Sequence, residues 1–436
     1  MIVAFNEVPA KASFADEATP SGTLTDLLLA AFDSAAVGSR VWGSIFQWSD
    51  EQLTRALEAS VRSRQLRLQL VAGDRDHAFQ AGVASFFRRR VRRGGVFRRR
   101  PLGTRRNHDK WFLFEALDFE ALQRSLPAGA EVVADFPAPG WALLVSTANL
   151  TEADRLKNNA AVLVPVGPRL AVQLQHRFEI LRWCYRCPSL LAPLAEALFR
   201  RFRFAPVELE RFVLHSFPGR AGYDPIRETI ARIVPAAGPV HIRVCNIRWT
   251  RTGVAQALLD LHRAAPETTQ IEIIARSPQD WVDLDEDGLY ERTEMSAAVA
   301  TRLSRCATRY WQRHDLDARG EPLTTSGRDR DGNPIAVPRS LAAIHGKYAL
   351  IDAYFQQDTT TQRRRLLWIG SPNMTRAAVE SNFEILLEFK SDAGAYEAFA
   401  RNFERLKTLS ERGGLGATDP AVALVVSSSD SASRSR

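Results

Sequence analysis

The sequence predicts an α/β fold made of two similar halves. Three observations carry that expectation. A β-prone opening run recurs roughly two hundred residues on, the order of strands and helices repeats after each copy, and two His-x-Lys segments each lead into an apolar strand.

Val3-Ala4-Phe5-Asn6-Glu7-Val8-Pro9 and Phe212-Val213-Leu214-His215-Ser216-Phe217-Pro218 are apolar runs ending at proline, and each opens one half. Helix-period segments follow, Leu24 to Phe32 and Ile226 to Ile233, then strands at Arg40 to Trp48 and Val240 to Trp249. Amphipathic helices come next, Glu51 to Val61 and Val254 to Leu261, and then strands at Leu66 to Val71 and Ile271 to Ile274. Strands alternating with helices of this length predict largely parallel central strands in each half.

The first half is expected over 1–168, a helical connector rich in aromatic residues and arginine over 169–206, the second half over 207–415, and a disordered Ser-rich tail over 416–436. Leu316 to Arg339, rich in Gly, Pro and Asp, reads as a long surface loop.

With 436 residues the chain is long enough for a sizeable core in two domains or one duplicated one. Its 58 Lys and Arg outnumber 50 Asp and Glu, and this surplus suits an anionic partner such as nucleic acid or lipid headgroups. The arginines cluster from Arg88 to Arg106, interleaved with Phe86, Phe87, Val96 and Phe97, and again at Arg363 to Arg365. The first run fits a nucleic-acid backbone with bases stacking on aromatics, an anionic membrane surface, or a solvated loop. No stretch of about twenty apolar residues and no leader pattern is present, so a cytoplasmic protein is expected. Four cysteines are too few for a disulfide scaffold; Cys184-Tyr185-Arg186-Cys187 lacks the second pair a zinc site needs and reads as buried small residues or an incidental disulfide.

The chemistry lies in the paired motifs. His108-Asp109-Lys110 is followed by Trp111-Phe112-Leu113-Phe114 and Glu115; His345-Gly346-Lys347 is followed by Tyr348-Ala349-Leu350-Ile351 and Asp352. Residues two apart on a strand share a face, so each His projects with its Lys into one cleft. Beyond each lies an apolar strand and an Asn-bearing turn, Ser146-Thr147-Ala148-Asn149 and Gly370-Ser371-Pro372-Asn373. Asn149, Asn373, Ser146 and Ser371 supply amide and hydroxyl donors for a phosphate oxygen. There is no Walker-type loop, no His-Glu-x-x-His and no carboxylate cluster for two metals, so no metal or other cofactor is expected.

These paired motifs resemble the phospholipase D superfamily, whose pattern is His-x-Lys-x4-Asp followed by an Asn-bearing turn, twice per active site. The resemblance implies two similar phospholipase D-like α-β-α halves packed as a pseudo-dimer around one active site, complete in a monomer. Asn382-Phe383-Glu384 matches the family's Asn-x-Glu, and Tyr396 to Leu406 matches a helix usual in such proteins. Two departures stand out: Glu115 replaces the usual Asp, and Ala161 is expected where the first half needs its Glu.

The resemblance assigns His108 as nucleophile forming a phosphohistidine, His345 as general acid, and Lys110 and Lys347 with Asn149 and Asn373 as the cradle of the phosphoryl oxygens. Glu384 would hold a histidine tautomer, while Asp352 and Glu115 would order backbone and lysines. Ser-Thr-Ala-Asn-Leu-Thr with Asn158-Asn159 is similar to bacterial phospholipase D-like hydrolases, many of them exported. The function implied is a metal-independent phosphodiesterase hydrolysing phospholipid headgroups, the alternative being a nuclease of the same family.

Overall fold

In the computed structural model, the structure describes residues 1–6, 23–72, 96–97, 107–135, 139–186, 205–275, 302–311, 324–328, 334–338 and 343–411, except 49, 152–153, 155–156, 219–222, 247–248, 250, 304, 358, 381 and 391. The arginine run (save the strand Val96–Phe97), Cys187 and the expected tail lie outside the described residues.

The first half contains β1 (Ile2–Phe5), α1 (Thr23–Asp33), β2 (Arg40–Ile45), α2 (Glu51–Ser63), β3 (Arg67–Ala72), β4 (Val96–Phe97), β5 (Lys110–Leu117), α3 (Phe119–Arg124), β6 (Ala130–Val132), β7 (Gly140–Ser146), β8 (Lys157–Asn158), β9 (Ala160–Pro165) and α4 (Pro168–Arg186). The second contains β10 (Val207–Glu208), β11 (Phe212–Phe217), α5 (Pro225–Ile230), β12 (Val240–Asn246), α6 (Thr252–Ala264), β13 (Thr269–Ala275), β14 (Thr308–Trp311), β15 (Thr324–Arg328), β16 (Pro334–Pro338), β17 (Ala343–Ile344), β18 (Lys347–Gln357), β19 (Thr360–Gly370), α7 (Arg376–Glu380), β20 (Glu384–Lys390) and α8 (Ala393–Glu411).

Each half forms an eight-stranded sheet, in the orders β4-β3-β2-β5-β7-β9-β1-β6 and β14-β13-β12-β18-β19-β20-β11-β10. Seven of the eight positions correspond in chain order, so the repeat read from sequence is a repeat of topology; at the edge the halves differ, because β6 follows β5 in the chain while β10 precedes β11. The expected largely parallel sheets are corrected to mixed ones. Among the described residues of these two sheets, only β2, β3 and β4 and their counterparts β12, β13 and β14 pair parallel, and the helices α2 and α6 make the β2–β3 and β12–β13 crossovers. The His-x-Lys strands β5 and β18 lie antiparallel to both neighbours. A hairpin between β18 and β19 turns within a few residues, and only an antiparallel pair permits that.

Helices cover the outer faces, α1 to α3 on one sheet and α5 to α7 on the other, while α4 and α8 lie with the inner faces. Alternation along β5 sends Phe112 and Phe114 outward and Trp111 and Leu113 inward. The inner core is shared: Trp111 and Val145 of one sheet and Leu350 and Leu367 of the other belong to one buried cluster with Phe178, Phe399 and Phe403. Burying each such side chain contributes about 1.5–3 kcal/mol, so separating the halves exposes a large apolar surface.

Two further expectations change. The segment expected as a connector begins with α4, 19 residues long like α8 and following β9 as α8 follows β20, so α4 is the closing helix of the first repeat. Within the expected loop Leu316 to Arg339, Thr324–Arg328 and Pro334–Pro338 pair as an antiparallel hairpin.

Gly370 ends β19 where a Cβ would sit against the Ile385 carbonyl oxygen and Leu386 Cα of β20, a backbone that cannot yield. Ser146 holds the equivalent place in the first half. Gly370→Ser is therefore expected to destabilise the protein by about 1–3 kcal/mol, read as a lowered midpoint of denaturant unfolding; an unchanged midpoint contradicts this packing.

Candidate active site

Both motifs lie where the halves meet. His108 N–H donates to Phe383 O at 3.0 Å, and His345 N–H donates to Asn158 O at 3.0 Å. Each motif therefore hydrogen-bonds to the start of a strand in the opposite half, through the Asn107 to Phe383 bridge and the pairing of β17 with β8. These two contacts fix the equivalence of the repeats: Phe383 corresponds to Asn158, and Glu384 to Asn159.

The side chains follow this crossed pattern. His108 Nδ1 lies 2.8 and 2.9 Å from the two carboxylate oxygens of Glu384. His345 Nδ1 lies 2.8 Å from Asn159 Oδ1. The Asn159 amide nitrogen is committed to Asp154 O at 2.9 Å, and Thr147 Oγ1 donates to Asn159 Oδ1 at 3.1 Å. Asn159 thus offers oxygen to the ring, His345 carries its proton on Nδ1, and the Nε2 lone pair is left outward.

At each Nε2 stands the lysine of the same motif. Lys110 Nζ donates to His108 Nε2 at 3.3 Å and His108 O at 3.0 Å; Lys347 Nζ donates to His345 Nε2 at 3.2 Å and His345 O at 3.3 Å. Lys347 Nζ also reaches Thr147 O of the opposite half at 3.5 Å. All four side chains are at least nine-tenths buried, His108 and His345 at 5 % exposure, Lys110 at 0 % and Lys347 at 2 %. The Phe46 ring lies against His108, with centroids 4.8 Å apart, and beneath Lys110 at 5.4 Å.

Burial drives the His345 pKa well below the usual histidine range, helped by the charges of Lys347, Lys157, Lys110 and His108. Burial pushes the Glu384 carboxyl up to about 8, against Lys110, a Ser371 hydrogen bond and Lys347. One histidine therefore has a carboxyl behind it and the other a neutral amide.

This geometry corrects several expectations. The first-half counterpart of Glu384 is Asn159, not Ala161, which lies two residues further along β9. The hydroxyls of Ser146 and Ser371 are used inside the fold: Ser146 Oγ accepts from Ala148 N at 2.9 Å, and Ser371 Oγ accepts from Ile385 N at 3.2 Å while supporting Glu384. The partner of Ser371 in the repeat is Thr147, whose Oγ1 accepts from Ala160 N at 2.9 Å. Glu115 and Asp352 stand five residues, roughly 16 Å, along their strands from the lysines. They do not order those lysines. Glu115 takes Arg40 of β2 at 2.5 Å, and Asp352 takes Arg363 and Arg365 of β19 at 2.7 and 3.1 Å.

Asn149 and Asn373 occupy matching turns. Their Oδ1 atoms are buried and bond to nothing among the described residues, while Asn149 N donates to Asp154 Oδ2 at 2.8 Å. Sequence reasoning missed Asn159, Thr147, Phe46 and Arg177; Asn158-Asn159 itself was the signal for the first. Among the described residues no group of three or more His, Cys, Asp or Glu side chains is set to hold a metal, and no helix is long and apolar enough to cross a membrane.

Residues 232–407 match a sequence family described as cardiolipin synthase, PLD-like domain. Among solved structures the chain is similar to phosphatidylserine synthase from Haemophilus influenzae, with 11 % identity over 93 % of this chain and 85 % of that one and a TM-score of 0.53. It also matches polyphosphate kinase from Porphyromonas gingivalis, at 11 % identity over 93 % of this chain and a TM-score of 0.47, and spans about half, 51 %, of that protein's length. Yeast tyrosyl-DNA phosphodiesterase matches at 12 % identity over 89 % of each chain, with a TM-score of 0.45. No curated protein sequence matches the chain.

The His345 environment gives a direct test. With its pKa lowered by burial and by the neighbouring positive charges, His345 should show ring C–H resonances that titrate well below the usual histidine range. Asn159→Asp places an acid at Nδ1, favours the imidazolium, and should raise that titration. Titration of His345 near pH 6.5 in the wild type would contradict the assignment.

Proposed function

We propose that this chain is a member of the phospholipase D superfamily and a metal-independent phosphodiesterase that hydrolyses phospholipid headgroups through a phosphohistidine, a reading supported by the matched family and the shared fold. The observation that carries the reading is the convergence of two buried His and Lys pairs, with each Nε2 beside an ammonium and each Nδ1 held from behind by the other half.

His108 acts as the nucleophile. Its Nε2 attacks phosphorus, the bond from phosphorus to the leaving oxygen breaks, and the ring becomes a cationic phosphohistidine. Glu384 at Nδ1 supports that charge: a cation at 2.8 Å favours the ionised carboxylate and offsets the burial that holds the free acid near 8. His345 protonates the leaving alcohol. A depressed pKa makes its imidazolium a strong acid, and the bound phosphodiester anion offsets the lysine charges that oppose loading that proton.

Water then enters. His345 takes its proton, the hydroxide oxygen bonds to phosphorus, and the bond from phosphorus to nitrogen breaks, releasing a phosphomonoester and free His108. Lys110 and Lys347 stabilise the charge on the phosphoryl oxygens from a preorganised site, with Asn149 and Asn373 at its rim.

The choice of a lipid substrate is supported by the cardiolipin synthase description of the matching family and by the fold shared with a phosphatidylserine synthase. Two measurements test the reading. On phosphatidylcholine and phosphatidylglycerol vesicles in EDTA, wild type should release headgroup and phosphatidate, while His108→Ala and His345→Ala should each lower turnover by at least about 10³-fold. Cleavage of single- or double-stranded DNA with untouched vesicles would move the substrate to nucleic acid, and inhibition by EDTA reversed by a divalent ion would overturn the lysine-based mechanism. Glu384→Gln, which keeps the shape and loses the charge, should lower kcat by on the order of 10²–10⁴-fold, read under saturating substrate.

A further inference from the structure

The repeats place different chemistry beneath equivalent motifs. Between His108 and Lys110, Asp109 turns to the inner face, fully buried, with both carboxylate oxygens on Arg177 Nη2 at 3.0 and 3.1 Å. Arg177 is 1 % exposed on α4. Its Nη2 also donates to Glu384 O at 3.2 Å, and its Nη1 donates to Phe217 O at 3.2 Å. One guanidinium from the first half therefore holds both the residue beside His108 and the main chain of the second-half residue that receives His108 Nδ1.

The second half lacks this device. The place of Asp109 is taken by Gly346, where an added Cβ would press on Cys245 Sγ and the Tyr348 ring. The place of Arg177, tenth residue of α4, is taken by Asn402, tenth residue of α8. Asn402 donates to Tyr348 OH at 2.9 Å and receives Asn158 Nδ2 at 3.4 Å. Arg405 Nη2 donates to Asn402 Oδ1 at 2.9 Å, and the Asp154 to Lys157 pair stands 3.9 Å from His345 Nδ1. Among the described residues, the direct clamp of the residue between His and Lys by a buried guanidinium is found beneath His108 and not beneath His345.

A buried ion pair is weak evidence for stability, since apolar replacements of similar volume are often neutral. The planar fork of arginine does supply fixed directions to a carboxylate and a carbonyl at once. We infer that Arg177 and Asp109 are positioning residues that hold His108 and Glu384 in register across the seam, so that they govern attack on phosphorus. The inference rests on the hydrolytic reading of this site given above.

The test uses the full chain as wild type, Asp109→Asn/Arg177→Met and Arg177→Lys. The double variant removes both charges and leaves none buried alone; Arg177→Lys keeps the charge and loses the fork. Bis(p-nitrophenyl) phosphate is the substrate, because its leaving group needs no proton and reports on attack. Both variants should keep a cooperative thermal melt, lose about 10–10²-fold in kcat with KM within about twofold, and shift or broaden the downfield Nδ1–H resonance of His108, assigned by its loss in His108→Ala. A folded variant with kcat within twofold of wild type, or with that resonance unmoved, overturns the inference. Failure of wild type to cleave any phosphodiester would instead remove the hydrolytic reading, and the resonance would then decide the positioning role by itself.

Discussion

The hydrogen bonds from His108 N to Phe383 O and from His345 N to Asn158 O are the constraint on which the site depends. They tie each motif to the strand end of the opposite half. A single half carries a histidine and a lysine, but it has no partner for the histidine's Nδ1. The residue that fixes each tautomer sits one position past the carbonyl that receives the main-chain bond. Any slip of one half against the other would break backbone pairing and catalytic geometry together. The shared inner core, with α4 and α8 lying along it, opposes that slip by apolar burial.

Much of this was legible because it obeys local periods. The His-x-Lys spacing matches a strand, β5 and β18 both begin at the lysine, and both alternate core faces as the apolar pattern requires. The helices and strands that open each half also lie where amphipathic and β-prone runs place them. The strand directions were less legible, since a βαβ rhythm describes only the β2-β3-β4 side of each sheet and says nothing of how later strands return. The phase of the Asn-x-Glu segment was lost for a different reason. Ala161 follows Asn159 at the Asn-x-Glu spacing, whereas the equivalence in the structure is set by hydrogen bonds to the other half, which no single segment encodes. Arg177 stayed hidden because its partners lie 40, 68 and 207 residues away.

Similar motifs also conceal unlike electrostatics. Glu384 and Asn159 occupy one structural position and accept from equivalent ring nitrogens at nearly the same distance. A carboxyl stands behind His108 and an amide behind His345, and the lysine charges around His345 lower its pKa together with burial. Two histidines with the same His-x-Lys spacing are thereby given different surroundings. Under the proposed function, that difference suits one to bear a phosphoryl group and the other to pass a proton.

The buried lysines explain why such a site awaits an anion. Taking an ammonium out of water is costly, and two within one cleft also repel each other. Their field depresses His345 and pulls against the burial that neutralises Glu384. Under the proposed function, a phosphodiester entering this cleft would bring the negative charge that lowers all of these costs at once. As its equatorial oxygens gathered charge on the way to the transition state, the same lysines would stabilise it further without having to move. The fold thus holds unfavourable positive charge that an anion relieves, in a site whose histidines are already oriented by the opposite half.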